Sequence, residues 1–171
     1  INTYKRGSMP SKYGINIELY NSSTSSYDID NTRPIAIVGD DDKVSGLRYF
    51  SSIKSALAEI GNGSIKNAIL DLDATNINTQ IIISAFTKNT QGDDGDDLEQ
   101  QNINKAINAI TLLKQSEQEL SFKPKFIIAP EYNEKEDREK LKQIATYLRA
   151  VYAIELKSND ETSINKELEA I

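Results

Sequence analysis

Residues 122–156 constrain the fold more tightly than any other part of the chain. Residues 126–129 are continuously apolar, the pattern of a parallel strand buried on both faces, whereas a half-exposed strand would alternate. An acidic turn follows, and then Leu141, Ile144, Ala145 and Leu148 recur at helical spacing, so that a helix can lay one apolar stripe over a face of that strand. A second apolar run begins at Val151. Strand, helix and strand in this order predict a β-α-β unit, whose crossover is right-handed in nearly all proteins. The segment is built as architecture and not as an active site.

The preceding residues alternate in the same way. Strands are expected at 34–39, 46–50 and 80–86, with a serine-capped helix over 51–61 and another over 64–76. A single long helix is expected over 97–120, with Ile103, Ala106, Ile107, Ile110 and Leu113 on one stripe and Asp96 or Asp97 as its N-cap. A last helix starts near Ser163. The apolar runs 35–38, 81–85, 126–129 and 151–154 should be adjacent strands of one sheet, covered on both faces. The fold class is therefore α/β: an open, mostly parallel sheet flanked by helices, preceded by an N-terminal strand.

That first strand is Tyr13, Ile15, Ile17 and Leu19, alternating with small or polar neighbours, and the polar stretch 22–31 after it reads as a linker. Arg6-Gly7-Ser8 before Met9 looks like a cloning junction, so residues 1–8 are set apart as a vector-derived remnant. The expected organisation is thus remnant 1–8, arm and linker 9–33, and α/β domain 34–171. The strand of Tyr13 to Leu19 either pairs as an edge strand of its own domain or, with a linker that reaches up to ~30 Å when extended, leaves it.

Composition excludes several classes of function. With no Cys and no His, thiolate and imidazole chemistry are absent, and with them most zinc, copper and haem sites. A net charge of -6, with lysines scattered among acids, opposes generic duplex nucleic-acid binding, which needs clustered cations. No run approaches the ~20 apolar residues of a membrane span, so membrane insertion is not expected. Phosphate-loop, dinucleotide and serine-hydrolase signatures do not occur. No catalytic residue, cofactor or metal is assigned.

Three acidic clusters still invite a functional reading. Asp40, Asp41 and Asp42 end the first core strand, where open α/β sheets place ligands. Asp93, Asp94, Asp96 and Asp97 suggest calcium by composition, but position twelve counted from Asp93 is Asn104 and not the glutamate of an EF-hand. Asp71 and Asp73, were residues 69–73 a strand, would look like the phosphoacceptor segment of a receiver. As a helix, the same stretch turns Ala68, Ile69 and Leu72 inward and leaves both aspartates solvated. A receiver-like signalling domain phosphorylated on Asp71 or Asp73 is the alternative function.

Lys123-Pro124 leading a strand, Ile128-Ala129-Pro130 ending it, and Leu148-Arg149-Ala150 closing the helix resemble the tail sheath proteins of contractile-tailed bacteriophages. The order is matched upstream: Ala36-Ile37-Val38-Gly39 is similar to the family's first core strand, 51–61 and 64–76 to its first two helices, and 81–86 to its Val-rich strand. The acidic loop 92–97 before a long helix also looks like the phage pattern, so the resemblance runs over roughly residues 11–171. None of these motifs is specific alone, and their collinear order carries the weight. The resemblance implies a non-enzymatic subunit that polymerises with neighbouring sheath subunits around the tail tube protein and contracts to drive the tube through the host envelope. It also implies a virion location, in the phage tail, reached from the host bacterial cytoplasm. By the same resemblance, Tyr13, Ile15, Ile17 and Leu19 belong to an arm that adds a strand to a neighbour's sheet. The sequence departs from the family in its triple aspartate after Gly39 and in Glu131, which stands where glycine commonly follows the proline. Sheath subunits also continue well beyond the strand ending near Leu156, so the chain is expected to be a large N-terminal portion, truncated at its C-terminus.

Overall fold

Two predominantly aliphatic strands, β1 (Ile35–Asp40) and β3 (Ile81–Phe86), sit side by side at the centre of the sheet. The computed structural model describes residues 33–77, 79–90, 95–132 and 134–155, all within one compact unit. Around the central pair lie β2 (Gly46–Phe50), β4 (Phe126–Ile128) and β5 (Val151–Ala153), in the order β2-β3-β1-β4-β5. The last four strands of that order are mutually parallel, and β2 is antiparallel at one edge. The fold is an open, mostly parallel α/β sheet flanked by helices, as the apolar runs predicted.

Alternation along the strands assigns each side chain to a face. Ala36, Val38, Ile82 and Ile127 pack with one cluster, beneath α3 (Gly95–Leu112) and α5 (Lys135–Leu148). Ile37, Ile81 and Ile83 pack with the other, beneath α1 (Ile53–Glu59) and α2 (Ser64–Ala74). All seven are fully buried. The α5 stripe is the predicted one, since Leu141, Ile144, Ala145 and Leu148 are all buried.

Helix α1 begins two residues later than expected because Ser52 and Ser55 form a reciprocal cap: the Ser55 N–H donates to Ser52 Oγ and the Ser52 N–H to Ser55 Oγ, both at 3.2 Å. Three further expectations need correction. The helix expected over 97–120 is broken into α3, a 3-10 turn (Leu113–Gln115) and α4 (Ser116–Leu120). The tighter turn changes the helical phase after the buried Leu113, so that Leu120 and Phe122 return to the core, where Phe122 stacks on Tyr49 of β2 at 4.2 Å. Helix α3 already begins at Gly95, so Asp96 and Asp97 belong to its first turn and not to its N-cap. Finally, β5 is an edge strand with one face open, and Val151 is 63% exposed.

The segment containing Tyr13, Ile15, Ile17 and Leu19, and the helix expected near Ser163, lie outside the described residues. Among the described residues no helix is long and apolar enough to cross a membrane.

Candidate functional site at the carboxyl end of the sheet

Open parallel sheets bind ligands outside the carboxyl ends of their strands, where β1, β3 and β4 release their loops. Here those loops are tied to one another by side-chain hydrogen bonds. Asp41, 1% exposed, is the hub of the first: Oδ1 accepts the N–H of Lys43 at 2.9 Å and of Val44 at 2.7 Å, and Oδ2 accepts the N–H of Gly61 at 2.9 Å. Asp42 is exposed and accepts the Asn62 N–H at 2.7 Å. The aspartates thus hold the loop after β1 against the turn between α1 and α2. That turn needs Gly63, whose φ of 156° leaves no room for a Cβ beside the Asp40 carbonyl.

Asp40 closes the site from the other side. Its N–H donates to Ser64 Oγ at 3.0 Å, and its Oδ1 accepts the Tyr132 hydroxyl at 2.8 Å. Tyr132 is buried, edge-on to Phe86 at the end of β3, with ring centroids 5.0 Å apart. Burial by itself would raise the Asp40 carboxyl, but hydrogen bonding by the Ser64 side chain, Tyr132 and the Ser64 backbone outweighs it and holds the group below the usual carboxylate range. Burial and the hydrogen bond to Asp40 push the Tyr132 phenol upward. The pair is therefore set as carboxylate acceptor and neutral phenol donor. It clamps the end of β1 to the loop after β4.

The loop after β3 is fixed by α3. Asn102 accepts the Asn89 N–H at 2.8 Å and donates to the Asn89 carbonyl at 3.2 Å, while Lys105 Nζ donates to the Thr87 carbonyl at 2.7 Å. Beside the clamp, Glu131 has φ 70°, in the left-handed region that disfavours a Cβ.

Of the three acidic clusters, the first is the one whose described side chains tie the loops at this end of the sheet together. Asp71 and Asp73 lie exposed on α2, so the strand that a receiver needs is not formed at residues 69–73. Asp93 and Asp94 lie outside the described residues. No group of three or more acidic side chains placed to hold a metal ion occurs among the described residues. No local pattern singles out Tyr132, because its partner is 92 positions away. Nor does any such pattern reveal an open groove of about 490 Å³ between α2 and β4–β5, lined by Ala68, Leu72, Ile128, Pro130 and Ala153. No protein-family model matches the chain, and no curated protein matches it.

Proposed function

We propose that this chain is a structural subunit of a contractile phage tail sheath, which polymerises around a tail tube and contracts without nucleotide hydrolysis. The reading rests on the collinear motifs of residues 36–150. One structural observation supports it: the triple aspartate at the end of β1, the place where an α/β enzyme would hold its ligand, is committed to loop hydrogen bonds and to the Tyr132 clamp. Tied loops suit a subunit that moves as a rigid body, with stored free energy in contacts between subunits. Partners in this reading are neighbouring sheath subunits and the tail tube protein, in the virion tail.

Negative-stain microscopy of the product of the complete reading frame tests the proposal. Rings or tubes are expected, and deletion of residues 9–20, which carry Tyr13, Ile15, Ile17 and Leu19, should give a folded monomer that no longer polymerises. A monomer that takes up beryllofluoride with magnesium, and loses that uptake on Asp71→Asn or Asp73→Asn, would replace the sheath with the receiver.

A further inference from the structure

Asn62 is the one asparagine in the chain that is followed by glycine. With no Cβ on that next residue, the backbone nitrogen of Gly63 has an unhindered approach to Cγ, the side-chain carbonyl carbon of Asn62. The pair lies in the turn between α1 and α2, and Asn62 is exposed. Its amide is gripped from two sides. Lys66 Nζ donates to Oδ1 at 2.9 Å, which draws electrons from Cγ and sets an ammonium where negative charge gathers when Cγ is attacked. Asp42 acts in the opposite sense: its Oδ1 accepts the Asn62 N–H at 2.7 Å and its Oδ2 accepts from Nδ2 at 3.3 Å, while the Asp42 N–H donates to the Asn62 carbonyl at 3.1 Å. These three bonds fix the main chain and the amide of Asn62, whereas closing a ring onto Gly63 needs freedom in both. The nearby carboxylate also opposes loss of the proton from the Gly63 nitrogen.

We propose that Asn62–Gly63 is a modification site, at which the chain deamidates spontaneously through a succinimide, with Lys66 promoting the step and Asp42 restraining it. The Gly63 nitrogen forms a bond to Cγ and gives its proton to solvent base. The Cγ–Nδ2 bond breaks, and ammonia leaves with a proton taken back from solvent. Water, the only co-reactant, then opens the ring. Opening at Cγ gives aspartate, and opening at the main-chain carbonyl carbon gives isoaspartate, whose backbone runs through Cγ. Either product loosens the turn. A carboxylate at position 62 replaces the NH2 that donates to Asp42, so two like charges meet where a hydrogen bond stood. Isoaspartate also lengthens the main chain by a methylene beside Gly63, where the Asp40 carbonyl leaves no room even for a Cβ. The strain falls on the bonds that join Asp41 to Gly61 and Asp40 to Ser64, the ties at the carboxyl end of β1. This chemistry does not depend on the sheath reading.

The full 171-residue chain and a free peptide of residues 55–66 are incubated side by side at mildly alkaline pH until the peptide has converted. Mass spectrometry follows the fragment that carries residue 62, and chromatography separates aspartate from isoaspartate. Tryptic fragment 55–66 holds no other amide side chain, so a mass gain there reports Asn62 alone. Conversion in the folded chain is expected, slower than in the peptide and faster at higher pH. Asp42→Ala should speed it several-fold and Lys66→Met should slow it several-fold. The opposite signs separate the chemistry from a general loosening, which would speed both. Asn62→Asp should lower the urea midpoint of unfolding. An Asn62 left intact in the folded chain when the peptide has converted would overturn the site. A rate unchanged in Asp42→Ala or in Lys66→Met would overturn the role of that residue, and an Asn62→Asp chain as stable as the parent would overturn the effect on the turn.

Discussion

Replacing Asp41 by alanine should be among the most damaging single changes outside the hydrophobic core. Three backbone donors, on Lys43, Val44 and Gly61, converge on this 1% exposed carboxylate. A hydrogen bond to a charged acceptor contributes about 1.5–3 kcal/mol when its donor cannot turn to water. Lys43 is exposed and its N–H can be rehydrated, whereas Val44 and Gly61 are half-buried. The expected loss is about 3 kcal/mol, a large share of the 5–15 kcal/mol typical of a domain. With a urea m-value near ~2 kcal/mol/M, the unfolding midpoint should fall by ~1.5 M. Asp41→Asn keeps an acceptor for the Lys43 and Val44 donors but turns an NH2 toward Gly61, and should cost roughly half as much. Asp42→Ala, at an exposed neighbour, should cost less than ~1 kcal/mol. Chemical denaturation of the three variants decides the matter. If Asp41→Ala lies within ~0.5 kcal/mol of the parent, or no lower than Asp42→Ala, the loop is not organised by this carboxylate.

Other outcomes follow from the same geometry. Ile127 is fully buried in the sheet, so Ile127→Ala should cost about 2–5 kcal/mol and Ile127→Asp more, because a carboxylate would be forced into a dry site; a soluble Asp variant with unchanged Tm would disprove the strand assignment. Because the Asp40 carboxyl is held below its usual value near 3.8, its contribution to stability is present above that pH and is lost as pH falls through the lower folded value. Tyr132→Phe removes one of the hydrogen bonds responsible and should move the acid-unfolding midpoint to higher pH, as followed by circular dichroism. In the alkaline range the sign reverses: the raised Tyr132 phenol contributes stability below its ordinary value of 10.0 that is lost as pH climbs toward the folded value. The phenolate absorbance step near the ordinary value should therefore be the same in Tyr132→Phe as in the parent; a smaller step in the variant would place the late-titrating phenol elsewhere. Glu131→Gly should raise Tm by ~1–4 °C, since relief of a left-handed residue, about 1–2 kcal/mol, exceeds the unfolded-state cost of glycine, about 0.4–1 kcal/mol. A fall in Tm would mean that the Glu131 side chain makes a contact worth more than the strain.

The sequence by itself determined what is local or periodic. The near-continuous apolar runs 35–38 and 81–85 predicted strands buried on two faces, and they became neighbours at the centre. The stripe of Leu141, Ile144, Ala145 and Leu148 fixed α5 and the face it covers, and the helical period of Ala68, Ile69 and Leu72 left Asp71 and Asp73 in solvent. Serines at the start of α1 announced its cap because capping acts over three residues. What tertiary structure decided acts over longer reach. The pairing of Asp40 with Tyr132 joins positions 92 apart, and no local pattern encodes that distance. The break after Leu113 arises because the core asks Leu120 and Phe122 to turn back onto β2, against the propensity of a polar stretch suited to continuous helix. The role of Asp41 depended on which backbone amides folding would bring to it; as residues in a row, Asp40, Asp41 and Asp42 are indistinguishable. The open face of β5 followed from strand order. An apolar run specifies burial, and its position in the sheet, at the edge and beyond the last helix of one layer, decides whether burial is achieved within the described chain.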